Sequence, residues 1–215
     1  MKGLAALLAS SVLLAAPAHA GEWGAGLELG YGKQTFKPHY SYYGGFPSDR
    51  FTNRAYGPEA ALFAEYRVRL SPAFSVGALG RVGGTPSEWT LDTNEPAHLA
   101  YDIPVTVALS VVPAVHLDDM TALFGELGVA GGYVRHRKQS PVWSSYDQRG
   151  WRAGLVAGGG VERALTESVS ARAFFRYTAY QERAFDSVGP GGNRVERIKD
   201  APYAVNWGLG LIKRF

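Results

Sequence analysis

Between Trp23 and Phe215 the sequence repeatedly alternates apolar and polar side chains with a period of two, and the stretches that do so are joined by connections of strictly alternating length. Period-two alternation bounded by turn residues reads as β-strand. Eight such stretches can be drawn: Trp23–Thr35, Glu59–Leu70, Phe74–Gly84, Tyr101–Leu117, Ala122–Arg137, Trp151–Leu165, Val169–Arg183 and Pro202–Phe215. Short connections follow Leu70 ("SPA"), Leu117 ("DDMT") and Leu165 ("TES"), whereas the others are much longer. The 27 glycines and the abundant aromatics suit strands and tight turns, and no helix-period segment stands out. An up-and-down antiparallel arrangement with one short-looped and one long-looped end satisfies this pattern.

The two faces of each stretch differ in a way that bears on solvent. In the second, Ala60, Leu62, Ala64, Tyr66, Val68 and Leu70 oppose Phe63, Glu65, Arg67 and Arg69. The fourth sets Ile103, Val105, Val107, Leu109, Val111 and Val115 against Thr106, Ser110 and His116. A soluble eight-stranded barrel would turn the apolar set inward. However, aromatics mark the apolar faces near strand ends (Trp23, Tyr31, Tyr66, Phe74, Tyr133, Trp151, Tyr203, Trp207), where a membrane girdle belongs. Glycines recur on the polar faces (Gly24, Gly26, Gly30, Gly158, Gly160, Gly208, Gly210), leaving room for long charged side chains in a narrow lumen. The expected fold is therefore all-β, an eight-stranded antiparallel up-and-down transmembrane β-barrel with its apolar side outward. Pro104 and Pro113 in the fourth stretch each remove a ladder donor, and the pattern does not say how they are accommodated.

The first 20 residues have one cation (Lys2), an apolar run from Leu4 to Ala16 and Ala18-His19-Ala20, the pattern of a cleaved secretory signal. Residues 1–20 are thus expected to be a signal peptide, 21–215 the barrel domain, and the location the outer membrane. No cysteine is present, which excludes disulfides, thiolate metal sites, cysteine nucleophiles and a lipidated anchor. The net charge of +3 is mild and leaves no footprint for nucleic acid.

Two segments resemble a known family. "GGGVERALTESVSARAFFRYTAY" (Gly158–Tyr180) resembles the signature hairpin of the small outer-membrane β-barrels of OmpX, OmpA-barrel and opacity type, through Gly158, Gly160, Val161 and Glu162, the Thr166-Glu167-Ser168 turn, and Arg172, Arg176 and Tyr177. Arg163 stands where an aromatic is common in that family. The last strand, with Tyr203, Val205, Trp207, Leu209, Leu211 and the terminal Phe215, resembles the signal read by the barrel assembly machinery. Lys213 departs from it, at a position usually apolar. The resemblance implies a membrane-embedded barrel in contact with outer-membrane lipid, and a lumen plugged by side chains so that pore activity is small or absent.

Inside such a lumen, Glu28, Glu65, Glu126 and Glu162 are expected to pair with Arg67, Arg69, Arg81, Arg152, Arg172 and Arg176, because buried charges must be paired. The long connections carry Lys37, Tyr40, Tyr42, Tyr43, Arg50, Arg54, Arg137 and Lys138, residue types suited to lipopolysaccharide phosphates or another surface ligand. Catalytic, cofactor and metal residues are not assigned. "HYS" (His39–Ser41) has the His-x-Ser spacing of a lipid A deacylase family, but lies in the first long connection rather than on a late strand. The remaining histidines are scattered, and Glu88, Asp92, Glu95 and Asp102 lack calcium-loop spacing. The reading is a non-enzymatic structural or surface-interaction protein. The alternatives are a lipid A-modifying enzyme and a narrow low-conductance pore.

Overall fold

A computed structural model describes residues 21–43, 48–50, 52–85, 89–92, 98–139, 145–189 and 191–215. Residues 1–20, expected to be a signal peptide, lie outside them, as do Glu88 and Glu95 of the acidic loop. The strands are β1 (Glu22–Phe36), β2 (His39–Tyr42), β3 (Asp49–Arg50), β4 (Asn53–Ser71), β5 (Phe74–Gly84), β6 (Trp89–Asp92), β7 (His98–His116), β8 (Thr121–Gln139), β9 (Tyr146–Ala164), β10 (Val169–Tyr180), β11 (Arg183–Val188), β12 (Arg194–Asp200) and β13 (Tyr203–Arg214).

Eight of them form a ring. The order β5-β4-β1-β13-β10-β9-β8-β7 is antiparallel throughout, and β5 pairs β7 to close it. Closure removes every edge, so each backbone donor and acceptor in the wall is satisfied without water. The eight sequence stretches map onto these eight strands. The last strand closes on the first from Gly24↔Arg214 to Thr35↔Tyr203, and the Phe215 amide donates to the Trp23 carbonyl at 2.9 Å.

The short turns are set by local side chains. Asp118 Oδ1 accepts from the Met120 and Thr121 amides at 2.7 and 2.6 Å, and Thr166 Oγ1 accepts from the Ser168 and Val169 amides at 3.3 and 3.1 Å. Such side-chain turns fix the strand register at that end.

Exposure alternates as the inverted reading requires. Leu209, Leu127, Leu155 and Leu109 are each more than 60% exposed, while Arg172 and Arg176 are 1% exposed. Aromatics ring both ends of the outer wall. Trp23 packs on Tyr66 at the short-turn end, and Tyr31 on Trp207 and Tyr133 on Trp151 at the other. Trp23 and Tyr31 are eight residues apart on β1, about 20 Å along the barrel axis for a tilted strand.

One face assignment needs correcting. Ile103 is buried in the interior instead of joining Val105 and Val107 outside. A bulge in β7 between Asp102 and Val105, at Pro104, shifts the register against β8 and reverses the alternation there. Pro113 sits where the β7–β8 pairing skips from Val111↔Leu127 to Ala114↔Phe124, and its ring faces Gly125. Both prolines thus lie where the ladder lacks a donor requirement.

At the long-connection end, β11, β12, β2 and β3 form a second, four-stranded sheet. It is built from the first and last connections, which are neighbours because β1 pairs β13. Its inward residues Tyr40 and Ile198 pack with Tyr146, Tyr42 and Phe185. This cap was not legible from the sequence.

Candidate functional site: a filled lumen beneath a sheet cap

The interior is layered from the short-turn end upward. Arg172 Nη2 donates to Glu65 at 2.6 Å and to Glu162 at 3.0 Å. Arg67 donates to the same two carboxylates at 2.6 and 3.1 Å, and Arg214 pairs with Glu162. The Arg172 guanidinium lies 5.0 Å from the Phe63 ring and 4.5 Å from the Phe124 ring. Around it Leu79, Val112, Phe174 and Ile212 fill the cross-section.

Above this layer Arg176 bridges Glu28 at 3.1 Å and Glu126 at 2.9 Å, and Ser110 donates to Glu126 at 3.0 Å. Arg81 pairs with Glu59 at 2.9 Å, and Arg152 reaches Asp200 at 3.3 Å and its carbonyl at 3.0 Å. The interior combines paired charge with apolar packing, as an eight-stranded barrel with room only for its own side chains requires. Taking one partner from such a pair leaves an uncompensated buried charge, which costs far more than the pair itself contributes.

Nine of the ten charged residues expected in the lumen are buried there. Arg69 is not. It sits at the end of β4, exposed, and donates to the Pro72 carbonyl at 3.0 Å. The alternation that carries Arg67 inward passes the rim before reaching Arg69. Glu59, Asp200 and Arg214 complete the network and were missed. Glu59 opens its stretch and Arg214, on the polar face of the last stretch, is the penultimate residue of its own, while Asp200 was assigned to a loop.

Beyond the outer aromatic girdle, under the cap, lies a cluster of rings. Tyr40 OH is 3.1 Å from Tyr101 OH and 3.4 Å from Tyr146 OH, and Tyr146 OH is 2.6 Å from His136 Nε2. His136 stacks on Tyr101 with centroids 3.9 Å apart and meets Phe185 edge-on. Burial holds the His136 pKa well below its usual range, and the nearby Arg152 and Lys138 lower it further. Burial raises the hydroxyls of Tyr40, Tyr101 and Tyr146, and also the Asp200 carboxyl, which the Arg152 charge opposes.

The sign for pH follows. His136 stays neutral when the cap is closed and takes a proton near pH 6.5 when it is open. Cap stability from this residue is therefore intact above pH 6.5 and falls as the pH drops below it, by at most about 1.4 kcal/mol per pH unit. Asp200 acts oppositely, closer to the ordinary carboxylate range. Protection factors in β2, β11 and β12, which remove the intrinsic pH dependence of amide exchange, are expected to fall about fivefold between pH 6.5 and 5.5, and His136→Phe should remove that dependence. Equal protection factors at both pH values in the unaltered protein would refute it.

The loop residues divide. Lys37 is exposed over the Tyr203 ring at 5.3 Å, Arg54 and Arg137 are exposed, and Tyr43 is 46% exposed with its hydroxyl donating to Asp186 at 3.1 Å. Arg50 Nε donates to His39 Nδ1 at 3.1 Å, and Lys138 pairs with Glu196 at 3.2 Å. Tyr40 is a correction: at 5% exposure it points inward from β2 and is a packing residue, with Tyr42 half-buried behind it. Strand formation in the loop gives alternate residues an inside.

No family model matches the chain, and no curated protein matches it. Among solved structures it is similar to the outer membrane protein OprG from Pseudomonas aeruginosa, with a TM-score of 0.53 at 12% identity over 91% of this chain and 96% of that one. It is also similar to a major outer membrane protein from Thermus thermophilus, with a TM-score of 0.52 at 15% identity over 92% of this chain and 100% of that one. With a closed ring, an apolar outer wall between aromatic girdles and these likenesses, the chain has the fold of the small outer-membrane β-barrel proteins.

Proposed function

We propose that this is a closed, non-enzymatic barrel that works through its external rim, where it contacts lipopolysaccharide phosphates. The observation that carries this is a repeated pair. On three strands a girdle aromatic is followed, two residues toward the long-connection end, by a cation: Tyr31 and Lys33 on β1, Tyr133 and Arg135 on β8, Trp151 and Arg149 on β9; on β4 the exposed Tyr56, register partner of Lys33, is followed in the same way by Arg54. These cations stand at the level of a headgroup layer. Arg135 and Arg149 are direct cross-strand partners. Like charges so placed repel, and Asp102 and Asp147, which pair with them, also lie on this rim.

The outward face of the cap adds Arg197, Lys199, Arg50 and His39, which supports a polyanionic surface ligand as a second partner. A His-x-Ser hydrolase reading finds less support: His39 Nδ1 faces the Arg50 guanidinium, not the carboxylate that would orient a general base.

The test is titration of lipopolysaccharide and of its dephosphorylated form onto the detergent-solubilised barrel. A cation near an anionic surface contributes about 1 kcal/mol. The combined Lys33→Gln, Arg54→Gln and Arg149→Gln variant is thus expected to lose roughly a hundredfold of the preference for the phosphorylated form. An unchanged preference would refute the reading.

A further inference from the structure

Two cations on the membrane-facing wall serve neither the lumen nor the external rim. Arg163 lies one residue before the end of β9, and Lys213 one before the end of β13. Both are exposed, and both are at the short-turn end, which faces the periplasmic leaflet. They are also the two positions at which the sequence departs from apolar or aromatic patterns. The fold brings them to opposite sides of one strand. Arg163 pairs in register with Ala171 of β10, and Lys213 with Val169 of the same strand. Two strand spacings and a two-residue offset put their Cα atoms about 12 Å apart, within reach of one phosphodiester for two long side chains.

Between them the wall is hollow. Ala171 and Ala173 are the outward residues of β10, while β13 presents Leu209 and Leu211, 68% and 56% exposed, on one side. Val161 and Arg163 stand on the other. The depression, of about 780 Å³, has Arg163 in its lining, stops short of Lys213, and runs on over the backbone of Gly208 and Gly210 to Trp207 and to Leu27, Leu29 and Tyr31 of β1. Phe175, 55% exposed, is the next outward residue of β10 and ends the valley. From Val169 to Phe175 the strand covers about 20 Å, room for most of one acyl chain.

Among the described residues no carboxylate lies within 4 Å of either cation; Lys213 Nζ donates to Ser168 Oγ at 2.8 Å. Asp118 feels the Arg163 charge from the neighbouring turn, and its Oδ1 already accepts two turn amides. Glu167 lies exposed in the next turn.

We propose that this valley is a binding site for an anionic glycerophospholipid of the periplasmic leaflet. Arg163 takes the phosphate as a fork and Lys213 as a point charge, and one acyl chain lies over Ala171 and Ala173. Leucine rows on neighbouring strands make lipid contact everywhere on the wall, but a phosphate-spaced cation pair at the mouth of a small-residue valley gives this stretch headgroup selectivity.

The experiment is native mass spectrometry of the full barrel from bilayers containing equal phosphatidylglycerol and phosphatidylcholine. The unaltered protein is expected to retain phosphatidylglycerol over phosphatidylcholine by about tenfold. Arg163→Gln with Lys213→Gln should bring that ratio to about one. Ala171→Leu with Ala173→Leu fills the valley without touching the charges, and should lower retention of both lipids. Gel mobility with and without heating reports that each variant is folded. Equal retention of the two lipids by the unaltered protein, an unchanged ratio in the charge variant, or release of a lipid-free dimer would each overturn the proposal.

Discussion

Arg172→Leu is expected to be the most damaging single substitution in the barrel, lowering its stability by about 3–5 kcal/mol. Arg172 is 1% exposed and donates to Glu65 and Glu162, themselves almost completely buried. Removing it leaves two carboxylates facing each other across the lumen with Arg67 as their shared partner, and Arg214 on Glu162 alone. Leucine fills much of the volume, so the loss reports charge and not a cavity. Adding Glu65→Gln and Glu162→Gln should recover a large part of it, because the unpaired charges go too. Denaturant unfolding of the barrel in lipid vesicles, followed by heat-modifiable gel mobility, measures both. A loss below about 1 kcal/mol would mean that the network is hydrated and dispensable.

Phe124→Ala should cost almost as much, about 3 kcal/mol or more, for a different reason. Phe124 is 6% exposed and fills the same cross-section with Phe63, Leu79 and Phe174. Its ring lies under Arg172 at 4.5 Å, a desolvated cation–π contact of up to about 2 kcal/mol. The facing Gly160 leaves the ring its space: a Cβ there would meet the Ala173 carbonyl oxygen and come within 3.0 Å of Phe124 Cε1. Truncation therefore opens a void that its neighbours cannot close, since β9 and β10 are fixed by their ladder. The effects of Phe124→Ala and Arg172→Leu should fall short of additive, because the two residues share a contact. Full additivity in the double variant would show that the ring and the guanidinium do not interact.

The wall was legible in the sequence and the ends were not. From Ala60 to Val68 or from Leu209 to Leu211, lipid on one side and lumen on the other impose opposite chemistry on successive residues, and the pattern carries the face assignment. That constraint lapses beyond the girdles, where both faces meet water or protein. Arg69 follows the alternation of β4 yet stands past the rim, and Tyr40 alternates inward in what reads as a loop. The cap depends on pairing Glu196–Lys199 with His39–Tyr42, a contact between the first and last connections for which local sequence offers no signal. Ile103 failed for a third reason: Pro104 sits in a bulge, and a bulge inverts the phase of everything beyond it. Glu59 and Arg214 alternate inward with their strands but stand at the ends, where the sequence does not say whether a charge still lies within the lumen, and Asp200 reads as part of a long connection.

An apolar exterior around a dry, charged interior is directly measurable, because the chain has no native cysteine. Single cysteines placed at positions from Val205 to Ile212 and carrying a spin label report collisions with oxygen, which concentrates in lipid, and with a water-soluble nickel chelate. Positions 205, 207, 209 and 211 are expected to respond to oxygen alone, with positions 206 and 212 shielded from both; Gly208 and Gly210 are left unlabelled, because a Cβ at either would crowd the backbone of β1. Nickel collisions at the odd positions would contradict the outward apolar face, and nickel collisions at the even positions would contradict the filled lumen.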